Sequence, residues 1–127
     1  MTGYSVKIVE TSKELTARER IKLKATDDCV SLDEATKDGA VLITVDGFAV
    51  LEVHNEKSDN KDYTKYILMD KDGTRYITGS NPLWTSFMDI YDEIAGEDLE
   101  AEPLQIRVYQ RESKNYKGKA FLTCNIA

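Results

Sequence analysis

Apolar and polar residues alternate most regularly near the end of the chain, where they predict a pair of β-strands. Leu104, Ile106 and Val108 alternate with polar or aromatic residues, and residues 120–126 form a second β-favouring run. Residues 111–119 are polar and connect the two runs. We therefore expect two strands joined by a polar loop.

A longer β pattern begins at residue 40. Residues 40–55 are mostly apolar and are interrupted by Asp46 and Gly47, which predicts one long strand with a bulge or sharp bend. After a polar loop, the segments YTKYILMD and TRYITGS flank residues 71–73, Lys-Asp-Gly. This arrangement is typical of a β-hairpin.

One helix is predicted clearly, and it follows the hairpin. Ser80 or Asn81 can act as the N-cap, Pro82 suits the first helical position, and Gly96 can end the helix. Its apolar residues recur at helical spacing: Trp84, Phe87, Met88, Tyr91 and Ala95. We interpret this stripe as core.

The order of these elements predicts a mainly β (α+β) fold. Three strands, a helix and two strands over residues 39–127 correspond to a five-stranded OB-fold barrel, with the helix between strands 3 and 4 capping its open end. An α+β roll is the alternative. Residues 1–38 are predicted to form an N-terminal appendage, with a short strand at 4–9 and a charged helix from about residue 13 to 25 that starts at a capping box, Thr11 to Glu14.

Charge is distributed unevenly along the chain. The 127 residues carry a net charge of −6, yet residues 103–127 contain five basic residues and one acidic residue, a net +4. Residues 81–102 contain seven acidic residues and no lysine or arginine. The total argues against coating duplex DNA by bulk positive charge but is compatible with a local basic groove.

The basic residues near the end of the chain have two interpretations. They are either a solvated hairpin tip or a contact surface for a polyanion whose bases can stack. Tyr109 has the same strand parity as Arg107 and Arg111, so the three should face outward if Ile106 and Val108 face inward. Such a row suits nucleic acid, although outward tyrosine and arginine also occur at protein interfaces. The candidate contact residues are Arg107, Tyr109, Arg111, Lys114, Tyr116, Lys117 and Lys119, which Lys65 and Arg75 on the hairpin could extend.

Signals for catalysis, metal binding or export are not found in the sequence. His54 is the only histidine and lacks a nucleophile at motif spacing, and residues 70–73 do not continue as a calcium loop. Cys29 and Cys124 are far apart and are expected to be reduced. We therefore predict a cytoplasmic protein that is not an enzyme and has no catalytic residues, metal or cofactor; neither a signal peptide nor a membrane span is expected.

The segments YILMDKDGTRYITGSNPLWTSFMDI and SKNYKGKAFLTC resemble the small single-stranded-DNA-binding proteins encoded by bacteriophages and mobile elements of Gram-positive bacteria. The resemblance, over residues 39–127, implies an OB-fold protein that binds single-stranded DNA without sequence preference in replication or recombination, within the host bacterial cytoplasm. It implies a groove formed by the outer strand faces and the loop between the last two strands, whose residues here would be the candidates from Arg107 to Lys119 named above. Bacterial relatives typically end in an acidic tail, which residues 125–127 do not resemble.

Because residues 125–127 do not resemble such a tail, we expect protein partners to dock elsewhere. The acidic segment 89–102 is a candidate surface for replication or recombination proteins, and a homo-oligomer is left open. The alternative function is an OB-fold protein-interaction module that binds a phage or host protein rather than nucleic acid.

Overall fold

A computed structural model describes residues 4–57, 61–94, 96–98, 101–112 and 120–127. Its elements in chain order are β1 (Tyr4–Thr11), α1 (Ala17–Lys24), β2 (Val30–Ser31), α2 (Leu32–Ala35), β3 (Val41–Asn55), β4 (Asp62–Asp70), β5 (Arg75–Thr78), α3 (Asn81–Glu93), β6 (Gln105–Glu112) and β7 (Ala120–Ile126), with 3₁₀ turns at Thr26–Asp28 and Thr36–Asp38. From residue 41 onward, the strands and the long helix follow the predicted order.

The long strand β3 organises the sheet. One of its edges pairs with β4, and the other pairs with β6 over residues 41–44 and with β1 over residues 49–55. The resulting order is β2-β5-β4-β3-β6-β7, with β1 beside β3. The register with β4 shifts between Val45 and Gly47, so the predicted bulge is present. The sheet curls around its inner face as a half-barrel.

The inner face is filled by a core that α3 covers. Phe87 is fully buried, and its ring lies 5.8 Å from that of Phe48 and 5.2 Å from that of Trp84. Trp84 also stacks on Tyr66, with ring centroids 4.6 Å apart. The Ser80 hydroxyl accepts a hydrogen bond from the Leu83 amide as the N-cap, beside Pro82. The aromatic stripe of α3 therefore packs against the core, as predicted.

The segment of residues 30–38 bridges β5 and β6. Strand β2 pairs in parallel with β5, and Leu32 is completely buried in the core. The Gln110 amide of β6 donates to the Asp33 carbonyl at 3.1 Å and to the Thr36 hydroxyl at 3.0 Å. No pairing between β5 and β7 is found in the described part of the chain, and this segment therefore contributes contacts between β5 and β6.

Residues 12–29, which we term the covering segment, lie over the outer face of β3, β4 and β5. Ala49, Leu51 and Ile67 point outward from these strands and are buried against Leu23 of α1. Val6 and Ile8 of β1 and Leu15 pack on the same cluster, which we term the outer cluster. A β-carbon on Gly47 would lie 2.8 Å from the Ser12 hydroxyl, so glycine permits the close approach of this covering segment.

The N-terminal part differs from the prediction in one local detail. The helix α1 begins at a capping box formed by Thr16 and Glu19, whereas Thr11 is still within β1. The predicted box from Thr11 to Glu14 is therefore wrong, because pairing with β3 extends the first strand through Thr11. Residues 4–31 contribute two strands to the common sheet; the predicted domain boundary at residue 38 stays a prediction.

Candidate nucleic-acid interface

The outer face of the curled sheet has a covered half and an open half. Over β4, β5 and the end of β3, the outer cluster lies under Leu15 and α1, and Val6 and Ile8 of the neighbouring strand β1 extend it. Over β6, β7 and the start of β3, outward side chains are exposed or half-buried. We term this second half the open face. It comprises Leu42, Arg107, Tyr109, Arg111, Phe121 and Asn125; Thr123 lies at its margin, with its hydroxyl 3.2 Å from that of Ser86 on α3.

Strand register determines which side chains share the open face. Arg107 pairs with Leu42 on one side and with Asn125 on the other. The intervening residues Ile106 and Val108 are fully buried in the core. The predicted parity is therefore confirmed, because burial of one set of alternate residues directs the other set outward.

The open face is basic. Arg107 and Arg111 are exposed, and neither forms an ion pair with a described residue. The nearby Glu112 has the opposite strand parity and pairs with Ala120. The two guanidinium groups are thus available to an anionic ligand, for which their planar donor set is well suited.

Two aromatic rings lie on the open face, Tyr109 on β6 and Phe121 on β7, and both are half-buried. Within the described ranges, neither ring contacts another aromatic ring. By contrast, the aromatic residues of the inner face contact one another: Phe48, Tyr66, Trp84, Phe87 and Tyr91. The rings of Tyr109 and Phe121 are therefore outside this aromatic group, and each is partly exposed on the open face.

The structure does not place Lys65 and Arg75 on the open face. Lys65 lies on β4 with its ammonium 5.7 Å from the centre of the Tyr63 ring. Arg75 donates to the Lys22 carbonyl and lies 3.8 Å from the Asp28 carboxylate, so its guanidinium holds the covering segment. Its side chain is only 20% exposed. Both belong to the covered half of the sheet.

Four predicted contact residues lie outside the described residues: Lys114, Tyr116, Lys117 and Lys119. Their part in binding stays a prediction. The strands on either side of them, β6 and β7, both present outward side chains to the open face.

Sequence reasoning missed the two apolar residues of the open face, Leu42 and Phe121. Leu42 is 54% exposed and lies beside Arg107. Phe121 could have been assigned by parity, because Leu122 and Cys124 of the same strand are buried and residues 121, 123 and 125 must then face the other way. The alternation in β7 was the available signal.

The only histidine lies away from the open face, at the root of the β3–β4 hairpin. Its Nδ1 lies 2.7 Å from an Asp62 carboxylate oxygen and its Nε2 lies 2.6 Å from one of Glu56. Because both ring nitrogens face acceptors, His54 must carry two protons to bond both. The bonds to Asp62 and Glu56 raise the pKa of His54, and the His54 bond lowers the pKa of Glu56. This geometry stabilises the hairpin.

The sequence profile of the family described as "Phage Single-stranded DNA-binding protein", of the Phi29 type, matches residues 5–127. The chain belongs to this family. Family membership assigns single-stranded DNA binding in general, and it confirms the resemblance found in the sequence. No curated protein and no solved structure matches the chain.

The match to the phage single-stranded DNA-binding proteins begins at residue 5, so it includes the N-terminal covering segment as well as residues 39–127. No helix of the described residues is long and apolar enough to cross a membrane.

Proposed function

We propose that this member of the phage single-stranded DNA-binding protein family binds single strands without sequence preference through its open face, in phage DNA replication or recombination. The observation that carries the proposal is the division of the outer face. One half is covered by α1 and the residues around it, and the other presents two arginines that form no ion pair with any described residue, with aromatic rings beside them.

The order of side chains along β6 suits a single strand. Arg107 and Arg111 are four residues apart, about 13 Å along an extended strand, with Tyr109 midway between them. The guanidinium groups would neutralise phosphates, and the ring would take the face of a base. Every base has such a face, which accounts for binding without sequence preference.

The OB-fold assignment is part of this proposal. The elements β3, β4, β5, α3, β6 and β7 follow the OB-fold order, with the β2–α2 segment standing between β5 and β6. OB-folds commonly bind ligands on the face of their second and third strands. Those strands correspond here to β4 and β5, whose outer face is covered, which leaves the open face on β6 and β7.

Other parts of the proposal rest on the sequence alone. We expect Lys114, Tyr116, Lys117 and Lys119 to extend the binding surface, and we expect no catalytic activity. The acidic segment 89–102, which presents Asp89, Asp92 and Glu93 as exposed residues of α3, would dock replication or recombination proteins. The protein would act in the cytoplasm of the host bacterium.

Titration of a labelled oligo-dT followed by fluorescence anisotropy tests the function. We expect saturable binding with a defined site size at low salt, and weaker binding to a duplex of the same length. An oligonucleotide of mixed sequence should bind about as well as oligo-dT. If the folded protein, checked by circular dichroism, does not bind oligo-dT at low salt, the open face would instead be an interface for a protein.

A further inference from the structure

We infer that Phe121 is a second stacking residue, which takes the base adjacent to the one on Tyr109. The inference rests on the proposed function, and it adds a ring from β7 to Arg107, Tyr109 and Arg111 of β6. The open face would then hold two successive unpaired nucleotides, one on each ring.

Strand pairing places the two rings next to each other. Phe121 lies directly opposite Arg111, and Tyr109 lies directly opposite Thr123. Phe121 and Tyr109 are therefore diagonal neighbours on one face of an antiparallel pair. Such neighbours are about 7–8 Å apart, so their rings can serve adjacent bases without covering each other.

Phe121 lies outside both apolar clusters of the described residues. The chain contains three phenylalanines, and the other two are in the core: Phe48 is 3% exposed and Phe87 is fully buried. Phe121 is partly buried, and it belongs to neither apolar cluster of the described residues. A large apolar ring that faces outward beside an arginine, one with no ion-pair partner among the described residues, is a typical contact for a base.

The surrounding groups complete a two-nucleotide site. Arg111 pairs directly with Phe121, and Arg107 lies two residues before Tyr109, so each ring has a cation beside it. Phenylalanine has no hydrogen-bonding group, so it binds the face of a base and cannot read its edge. A second ring of this kind adds affinity while preserving sequence tolerance.

The test compares Phe121→Ala, Phe121→Leu and Phe121→Trp in anisotropy titrations with oligo-dT at one moderate salt concentration. We expect Phe121→Ala to weaken binding about 5- to 150-fold, the effect of one stacked base. Phe121→Leu retains apolar volume but lacks a π face and should also bind weakly. Phe121→Trp keeps an aromatic ring and should bind about as well as the wild type. Unfolding in urea identifies any variant whose loss of affinity reflects loss of fold.

The double variant of Tyr109 and Phe121 distinguishes a site that stacks two bases from a site that stacks one. If Tyr109 and Phe121 hold successive bases, the fold-losses of Tyr109→Ala and Phe121→Ala should multiply in the double variant. Wild-type affinity of folded Phe121→Ala or Phe121→Leu, with affinity lost in Tyr109→Ala, would overturn the inference and leave the proposed function intact. Failure of the wild-type protein to bind oligo-dT would overturn the proposed function itself.

Discussion

Replacing both arginines of the open face, Arg107 and Arg111, with alanine should make DNA binding less sensitive to salt. Both are exposed and have no ion-pair partner in the described part of the protein, so each is free to contact one phosphate. Each phosphate contact to a single strand contributes about 0.7 to the slope of log affinity against log salt. The double variant should therefore have a slope shallower by about 1.4.

This change in slope has a measurable consequence. Between about 50 and about 200 mM salt, the salt concentration rises about fourfold. A difference of about 1.4 in slope then means that wild-type affinity should fall about sevenfold more than that of the double variant, since 4 to the power of about 1.4 is about 7. Anisotropy titrations with oligo-dT at four or five salt concentrations would measure both slopes.

The chain provides a control of matched charge. Arg18 and Arg20 are exposed residues of α1, in the covering segment, and their replacement with alanine changes net charge by the same amount. This variant should retain the wild-type slope, because it removes no phosphate contact. Equal slopes for the wild type and the Arg107/Arg111 variant, or equal changes in both double variants, would refute our assignment of the phosphate contacts to the open face.

Three further results are expected. Tyr109→Ala should weaken oligo-dT binding by ~1–3 kcal/mol without changing the salt slope, whereas Tyr109→Phe should bind almost as the wild type; equal affinity for all three proteins would exclude stacking at this position. Leu32→Ala should lower the free energy of unfolding in urea by about 2–5 kcal/mol, because Leu32 is fully buried between the two ends of the sheet; a change below ~0.5 kcal/mol would mean that residues 30–38 are a dispensable appendage. His54 should stabilise the protein relative to His54→Gln at pH about 6, and this advantage should shrink as pH rises. The bonds to Asp62 and Glu56 raise the pKa of His54 above its unfolded value of about 6.5. The stabilisation is therefore complete below pH about 6.5 and is lost as the pH rises through the pKa of the folded state. An advantage in the urea midpoint that is the same at pH about 6 and about 9 would contradict it.

Local patterns predicted those features that depend on neighbours in sequence. The helix α3 could be predicted because its N-cap, its proline and its aromatic stripe are all within one short segment. The outward direction of Arg107, Tyr109 and Arg111 could be predicted because alternate residues of a strand with one buried face must point in opposite directions. The bulge at residues 46–47 was indicated by its glycine.

Contacts between distant segments could not be predicted in this way. Arg75 was predicted to extend the groove, and the fold places it against Asp28 and the carbonyl of Lys22. Its availability depends on a segment about 50 residues away in sequence, and no local pattern reports such a contact.

By itself, the sequence determined the order of the strands and the helix after residue 40, the inward and outward sets of β6, and the concentration of basic residues near its end. Only the tertiary structure decided that β1 pairs with β3, that Leu32 enters the core, and that one half of the outer face is covered. The period of apolar residues shows that a strand or helix has an apolar face to bury, but it does not show which other part of the chain covers that face. Because α1 and the residues around it bury the outer cluster, the open face is confined to β6, β7 and the start of β3.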